Sequence, residues 1–134
     1  MNQNLYIVVY SLLSMNQKMM IYPEGRKLVL KAPDCYYTII PKGKMEEVGL
    51  REGDLVLHIA RKDSVAVCRT EFENENTYKI STHRRMTIPP AARQWFNNFA
   101  AVKEALKNGV PVYVQFWIEE TGEVKELRYK IAMQ

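Results

Sequence analysis

The stretch Met45-Glu46-Glu47-Val48-Gly49-Leu50-Arg51-Glu52-Gly53-Asp54-Leu55-Val56-Leu57 decides how this chain is read. Met45 to Val48 suffice for one helical turn, and Gly49 is a suitable left-handed C-cap for it. Gly53-Asp54 then turns the chain into an apolar strand, Leu55 to Ile59. A short helix closed by Gly-Leu-x-x-Gly-Asp organises a binding scaffold; it does not assemble reactive groups. Just upstream, Cys35 to Ile40 (CYYTII) is aromatic and β-branched, a strand pattern that Pro41-Lys42-Gly43-Lys44 breaks. Lys27 to Lys31 alternates more weakly before Ala32-Pro33-Asp34, and Pro23-Glu24-Gly25 reads as a turn.

Downstream, the pattern from Asp63 predicts a hairpin: Val65 to Cys68 as one strand, an exposed turn over Glu71 to Asn76, and a return over Thr77 to Thr82. Pro89-Pro90 opens the single long helix expected. Ala92, Trp95, Phe96, Phe99, Val102 and Leu106 recur at three- and four-residue intervals, and Asn108-Gly109 followed by Pro111 stops it. The C-terminal segment alternates cleanly, with Val112, Val114, Phe116 and Ile118 before the Glu119–Gly122 turn, and Val124, Leu127, Tyr129 and Ile131 after it. That is a hairpin with one buried face.

The 134 residues, 47% apolar and 25% charged, suit one globular domain. The net charge of +4 comes from alternating signs, which reads as a solvated surface with slight basic excess; a nucleic-acid footprint needs clustering. Cys35 and Cys68 lie far apart without zinc spacing and read as free thiols of a reducing compartment. His58 and His83 show no metal pattern, and His58 falls inside a strand. No metal and no cofactor are expected. Leu5 to Leu13 is the most apolar run, yet it is well short of the about twenty residues a bilayer-spanning helix needs. No Lys or Arg precedes it and no small-x-small cleavage site follows, so it reads as a strand of a cytoplasmic protein rather than a signal or a membrane span. Met15, Met19 and Met20 are alternative starts. There is no nucleophile elbow, glycine-rich phosphate loop or metal-spaced His/Cys set, so the chain is not expected to be an enzyme.

The order of these elements resembles a PDZ domain of the bacterial, protease-associated kind, over residues 27–134, with residues 1–26 as an apolar N-terminal arm. Pro41 to Asp54 follows that family's turn, short helix and Gly-Leu-x-x-Gly-Asp. Ala101 to Val114 is similar to its second helix and following strand, and Leu127 to Ile131 to its closing strand. The resemblance implies an α+β fold, a partly open antiparallel β-barrel or sandwich with one main amphipathic helix, one short helix and an inserted hairpin, the insertion spanning about 61–90. It implies a non-catalytic protein or peptide interaction module, in which an extended segment adds as a strand. The receiving strand would be Cys35, Tyr36, Tyr37, Thr38 and Ile39, and the helix wall Phe99, Val102, Lys103 and Leu106. The guest would be a terminal carboxylate held near Asp34-Cys35-Tyr36, or an internal peptide. Phe99 and Leu106 also read simply as core.

A second segment, Thr82 to Arg93, resembles the swapped-hairpin DNA-binding domains of the AbrB and antitoxin type, whose signature is roughly Gly-Arg-x-x-Ile-Pro-x-x-x-Arg. Arg85, Ile88, Pro89 and Arg93 match it, with Arg84 at the glycine. Ile40-Pro41, then Gly49-Leu50 and Gly53-Asp54, fit the same family, with Tyr36-Tyr37 at its Gly-Arg. Two such half-repeats, 48 residues apart, would make a tandem domain. This resemblance implies a transcription regulator or antitoxin, with Arg84, Arg85 and Arg93 on phosphates and binding that weakens steeply with salt. A third expectation is a homo-oligomer or a subunit of a larger assembly, using the N-terminal arm and the 61–90 segment as contacts.

Overall fold

A computed structural model describes residues 26–132, apart from residue 33 and residues 96–98. The turn at Pro23–Gly25, the Leu5–Leu13 run and nearly all of the 1–26 arm lie outside the described residues. Nine strands are described: β1 (Arg26–Lys27), β2 (Val29–Ala32), β3 (Cys35–Ile39), β4 (Leu55–Ala60), β5 (Val65–Arg69), β6 (Thr77–Lys79), β7 (Arg85–Ile88), β8 (Tyr113–Thr121) and β9 (Val124–Ala132). The helices are α1 (Lys42–Glu47), α2 (Pro90–Arg93) and α3 (Phe99–Lys107), with a 3-10 turn at Thr82–Arg84. All strand pairs are antiparallel. Six strands form a curled half-barrel in the order β1-β8-β9-β5-β4-β6, and β2-β3-β7 form a second sheet. The class is α+β.

The period-2 pattern of the sequence explains which faces meet. Tyr36 and Thr38 of β3 and Met86 and Ile88 of β7 are buried, as are Val56 and His58 of β4, Val114 and Phe116 of β8, and Leu127 and Tyr129 of β9. Met45, Ala92 and Val102 bring one face of each helix into the same cluster. Pro41 and Pro89 stand in the same place relative to their strands. Each holds an extended φ (−58° and −69°), lacks the N–H a ladder would use, and begins a helix at the next residue.

Two expectations are corrected here. The 61–90 segment supplies strands to both sheets: β5 lies in the middle of the six-stranded sheet, bonded to β4 and β9, and β7 completes the second sheet. The predicted 63–82 hairpin does not form, because β5 and β6 take opposite edges of β4 instead of pairing with each other. The long helix from Pro89-Pro90 is described as two, α2 and α3, and Trp95 between them is 38% exposed. The C-terminal hairpin is present, β8 and β9 pairing from Tyr113↔Ala132 to Thr121↔Val124.

The strand order, with the 48-residue spacing of the two Ile-Pro strands, has the form of an internal two-fold relation. In the β3–β7 ladder Thr38 stands opposite Met86, the residue 48 positions on, and Tyr37↔Thr87 exchanges with Ile39↔Arg85 under the same shift. The six-stranded order is the same read from either end: an edge strand, then the two arms of a hairpin. Single bonds repeat as well. The Leu28 N–H donates to the Val112 carbonyl (2.8 Å) as the Ile80 N–H does to Asp54 (2.9 Å), and the bridge Ser81↔Arg85 mirrors Val29↔Tyr37. Residues 26–69 and 78–131 thus follow one strand order, interleaved, with a single bridge at Ser81 where the first has β2 and with α3 in the second alone.

Candidate functional site

The axis of this relation passes through the β3–β7 pair, which carries the receiving strand Cys35–Ile39 of one candidate set and Arg85 of the other. Alternation turns Tyr36, Thr38, Met86 and Ile88 inward and leaves Cys35, Tyr37, Ile39, Arg85 and Thr87 half-buried on the outer face. There the Arg85 guanidinium lies 4.2 Å from the centre of the Tyr37 ring, a cation–π contact. Tyr37 and Arg85 occupy equivalent positions of the two repeats, so their contact bridges the halves. Lys42 and Gly43 are exposed at the start of α1.

Arg84, Arg85 and Arg93, the residues that the swapped-hairpin resemblance singles out, differ in what they can do. Arg84 holds φ +60°, the left-handed conformation that suits the glycine of the signature. Its N–H donates to Glu52 Oε2 (3.2 Å) and its Nε to the Ile40 carbonyl (2.9 Å). Arg93 turns inward: its side chain is 13% exposed, donates to the Asp34 carbonyl, and stacks 4.8 Å from the Tyr36 ring centre. It fixes the β2–β3 turn to α2. Arg85 keeps its charge on the outer face.

The strand–helix groove expected between Cys35–Ile39 and Phe99–Leu106 is not open. β3 is bonded along both edges, to β2 by Val29↔Tyr37 and Leu30↔Tyr36 and to β7 by four consecutive pairs, so neither edge is left for a guest strand. Phe99 closes against Tyr36 in an edge contact at 5.4 Å, and Val102 is wholly buried. Leu106 packs against the core, leaving Lys103 as the exposed member of that wall. Phe99, Val102 and Leu106 thus pack into or against the core.

Sequence reasoning missed two polar arrangements in the half-barrel. His58 Nδ1 and the Tyr129 hydroxyl hydrogen-bond at 2.7 Å, the donor depending on the ring tautomer, while His58 Nε2 is buried without a partner. Burial pushes the His58 pKa down to about 3 and the Tyr129 hydroxyl up. Glu126 accepts from Arg61 and Arg128, and these bonds, Arg61's above all, hold its carboxyl down to about 2. The alternating pattern placed His58, Glu126, Arg128 and Tyr129 on strands; the His58–Tyr129 and Arg61–Glu126 pairings join residues 71 and 65 apart and carry no local signal. Both cysteines are free and half-buried. Among the described residues no group of three or more His, Cys, Asp or Glu side chains could hold a metal ion, and no helix is long and apolar enough to cross a membrane.

No family model matches this chain, and neither a curated protein nor a solved structure matches it.

Proposed function

We propose that the chain is a non-catalytic DNA-binding protein, a tandem single-chain relative of the swapped-hairpin regulators and antitoxins, and not a PDZ-like peptide module. The observation that carries this reading is the two-fold relation: the two Ile-Pro strands, 48 residues apart, pair with equivalent residues opposed on the axis. Two features add to it. Arg84 has the backbone conformation of the signature's glycine, and both prolines hand their strands to a helix at the same step. The peptide reading loses ground because β3 has no open edge.

In this reading the outer face of β3–β7 lies against the duplex. Arg85, held by Tyr37, contacts phosphate; Arg84 extends the charge along the face, and Arg93 positions the turn behind it. Phosphate contacts release counterions, so the affinity falls with salt at a slope of about −0.9 per phosphate neutralised. Fluorescence anisotropy with labelled duplex DNA, at low and at physiological salt, tests the reading. Binding is expected at low salt and should weaken steeply. Replacing Arg84 and Arg85 together by Ala should make the salt slope shallower by about two. No binding at low salt, or a double variant indistinguishable from the parent, would reject it and favour a protein partner.

A further inference from the structure

Phe72 is 80% exposed, an unusual place for a phenyl ring, and Glu71, Glu73 and Glu75 alternate around it. The β5–β6 loop that carries them has no Lys or Arg from Thr70 to Asn76, in a chain of net charge +4. The loop is shaped by its own bonds. The Phe72 N–H donates to Thr70 Oγ1 (3.2 Å), the Asn74 N–H to Thr77 Oγ1 (2.9 Å), and the Asn76 N–H to Asn74 Oδ1 (2.7 Å). An exposed ring on a prearranged loop has less conformational freedom to lose when it meets a partner.

The β4–β5 turn, at the other end of the same two strands, borders a recess of about 240 Å³. Lys62, Lys130 and Arg61 line it with Asp63, and Trp95 supplies an aromatic wall. Arg61 is already bonded to Glu126, and the Lys130 ammonium is 5.9 Å from the Trp117 ring centre; Lys62 is exposed. Ser64, 7% exposed, also lines the recess, and its buried hydroxyl has no hydrogen-bond partner. A buried hydroxyl ordinarily has one. Size is adequate for a ring, since an apolar cavity of about 150 Å³ holds benzene.

We propose that the Phe72 loop of one molecule docks in the Trp95–Lys130 recess of a second copy of this chain. The ring enters beside Trp95, and Glu71 and Glu73 meet Lys62 and Lys130. Loop and recess are separated by the length of β4, six residues or about 20 Å at the rise of a strand, so a molecule cannot fill its own recess. Two different patches in contact make a heterologous interface, which repeats head to tail into a chain or ring. One loop buries less than a stable standard interface, so association depends on concentration. This inference is independent of DNA binding and shares no residue with it.

Sedimentation velocity of the full chain without DNA, from about 10 μM to about 1 mM, tests it. The wild type is expected to pass beyond dimer as concentration rises. Phe72→Ala and the double variant Lys62→Glu/Lys130→Glu, all at exposed positions, should stay monomeric with unchanged circular dichroism. An equimolar mixture of the two variants pairs one intact loop with one intact recess, and should give a dimer and nothing larger. A wild type that remains monomeric at the highest concentration, or closes at dimer, overturns the proposal. So does a Phe72→Ala variant that associates like the wild type, or a mixture that fails to dimerise.

Discussion

Arg84 sits where its Cβ crowds the following carbonyl, a conformation that costs a side-chain-bearing residue about 1–2 kcal/mol. Replacing it by Ala and by Gly deletes the same guanidinium bond to Ile40, and only Gly relieves the φ of +60°. Arg84→Gly is therefore expected to be more stable than Arg84→Ala by about 1 kcal/mol, the reverse of the usual order in regular structure; urea melts of both variants check it. His58 gives a second prediction. The unfolded chain takes up a proton near pH 6.5 that the folded chain refuses down to about pH 3. The unfolded state thus binds more protons across that window, and stability falls as pH is lowered through it. Glu126, held at about 2, adds its loss only below its ordinary value of 4.5. Between pH 6.5 and 4.5 the wild type should lose stability relative to His58→Phe, at a slope approaching about 1.4 kcal/mol per pH unit. A parallel pair of curves would mean that His58 is not buried neutral.

At the scale of elements, what was legible was what neighbouring residues determine. The end of α1 is a Schellman motif, the Gly49 N–H donating to Glu46 and the Leu50 N–H to Met45, and α3 ends alike through Gly109 to Leu106 and Val110 to Ala105. Both glycines have φ near +75° with no atom within 4 Å of an added Cβ. Gly49→Ala and Gly109→Ala should each cost about 1 kcal/mol, all of it backbone, in thermal or urea melts. Strand positions were legible for the same local reason. Partner choice was not, because it is made between residues far apart in sequence. Val65–Cys68 and Thr77–Thr82 looked like a hairpin since consecutive strands usually pair, yet both were claimed by β4. The apolar stripe from Ala92 to Leu106 carried no sign of the break, because Ala92 and Val102 face the core from both helices. Of the candidate site, the spacing of the two Ile-Pro pairs was visible. The stacking of Arg85 on Tyr37 was not, since it exists only once β3 and β7 lie side by side.

For the whole molecule, interleaving decides how it unfolds. β1 of the first repeat is bonded to β8 of the second, β6 of the second to β4 of the first, and β3–β7 and β5–β9 cross between them. Neither half has its own closed core. Fragments 1–73 and 74–134 are expected to be unfolded apart and to recover the native spectrum when mixed, and a protease cut in the exposed 71–76 loop should leave the two pieces bound until urea separates them. A cooperative melt from either fragment alone would contradict this. The repeats have also been free to differ. A homodimer sets a residue against itself on its axis, whereas here Thr38 faces Met86, and on the outer face Tyr37 answers Arg85. The molecule therefore has a direction: at this pair one half of the outer β3–β7 face is cationic where the other is aromatic. Under the proposed DNA-binding reading, such a face would be indifferent to palindromes and would distinguish one orientation of its target from the reverse.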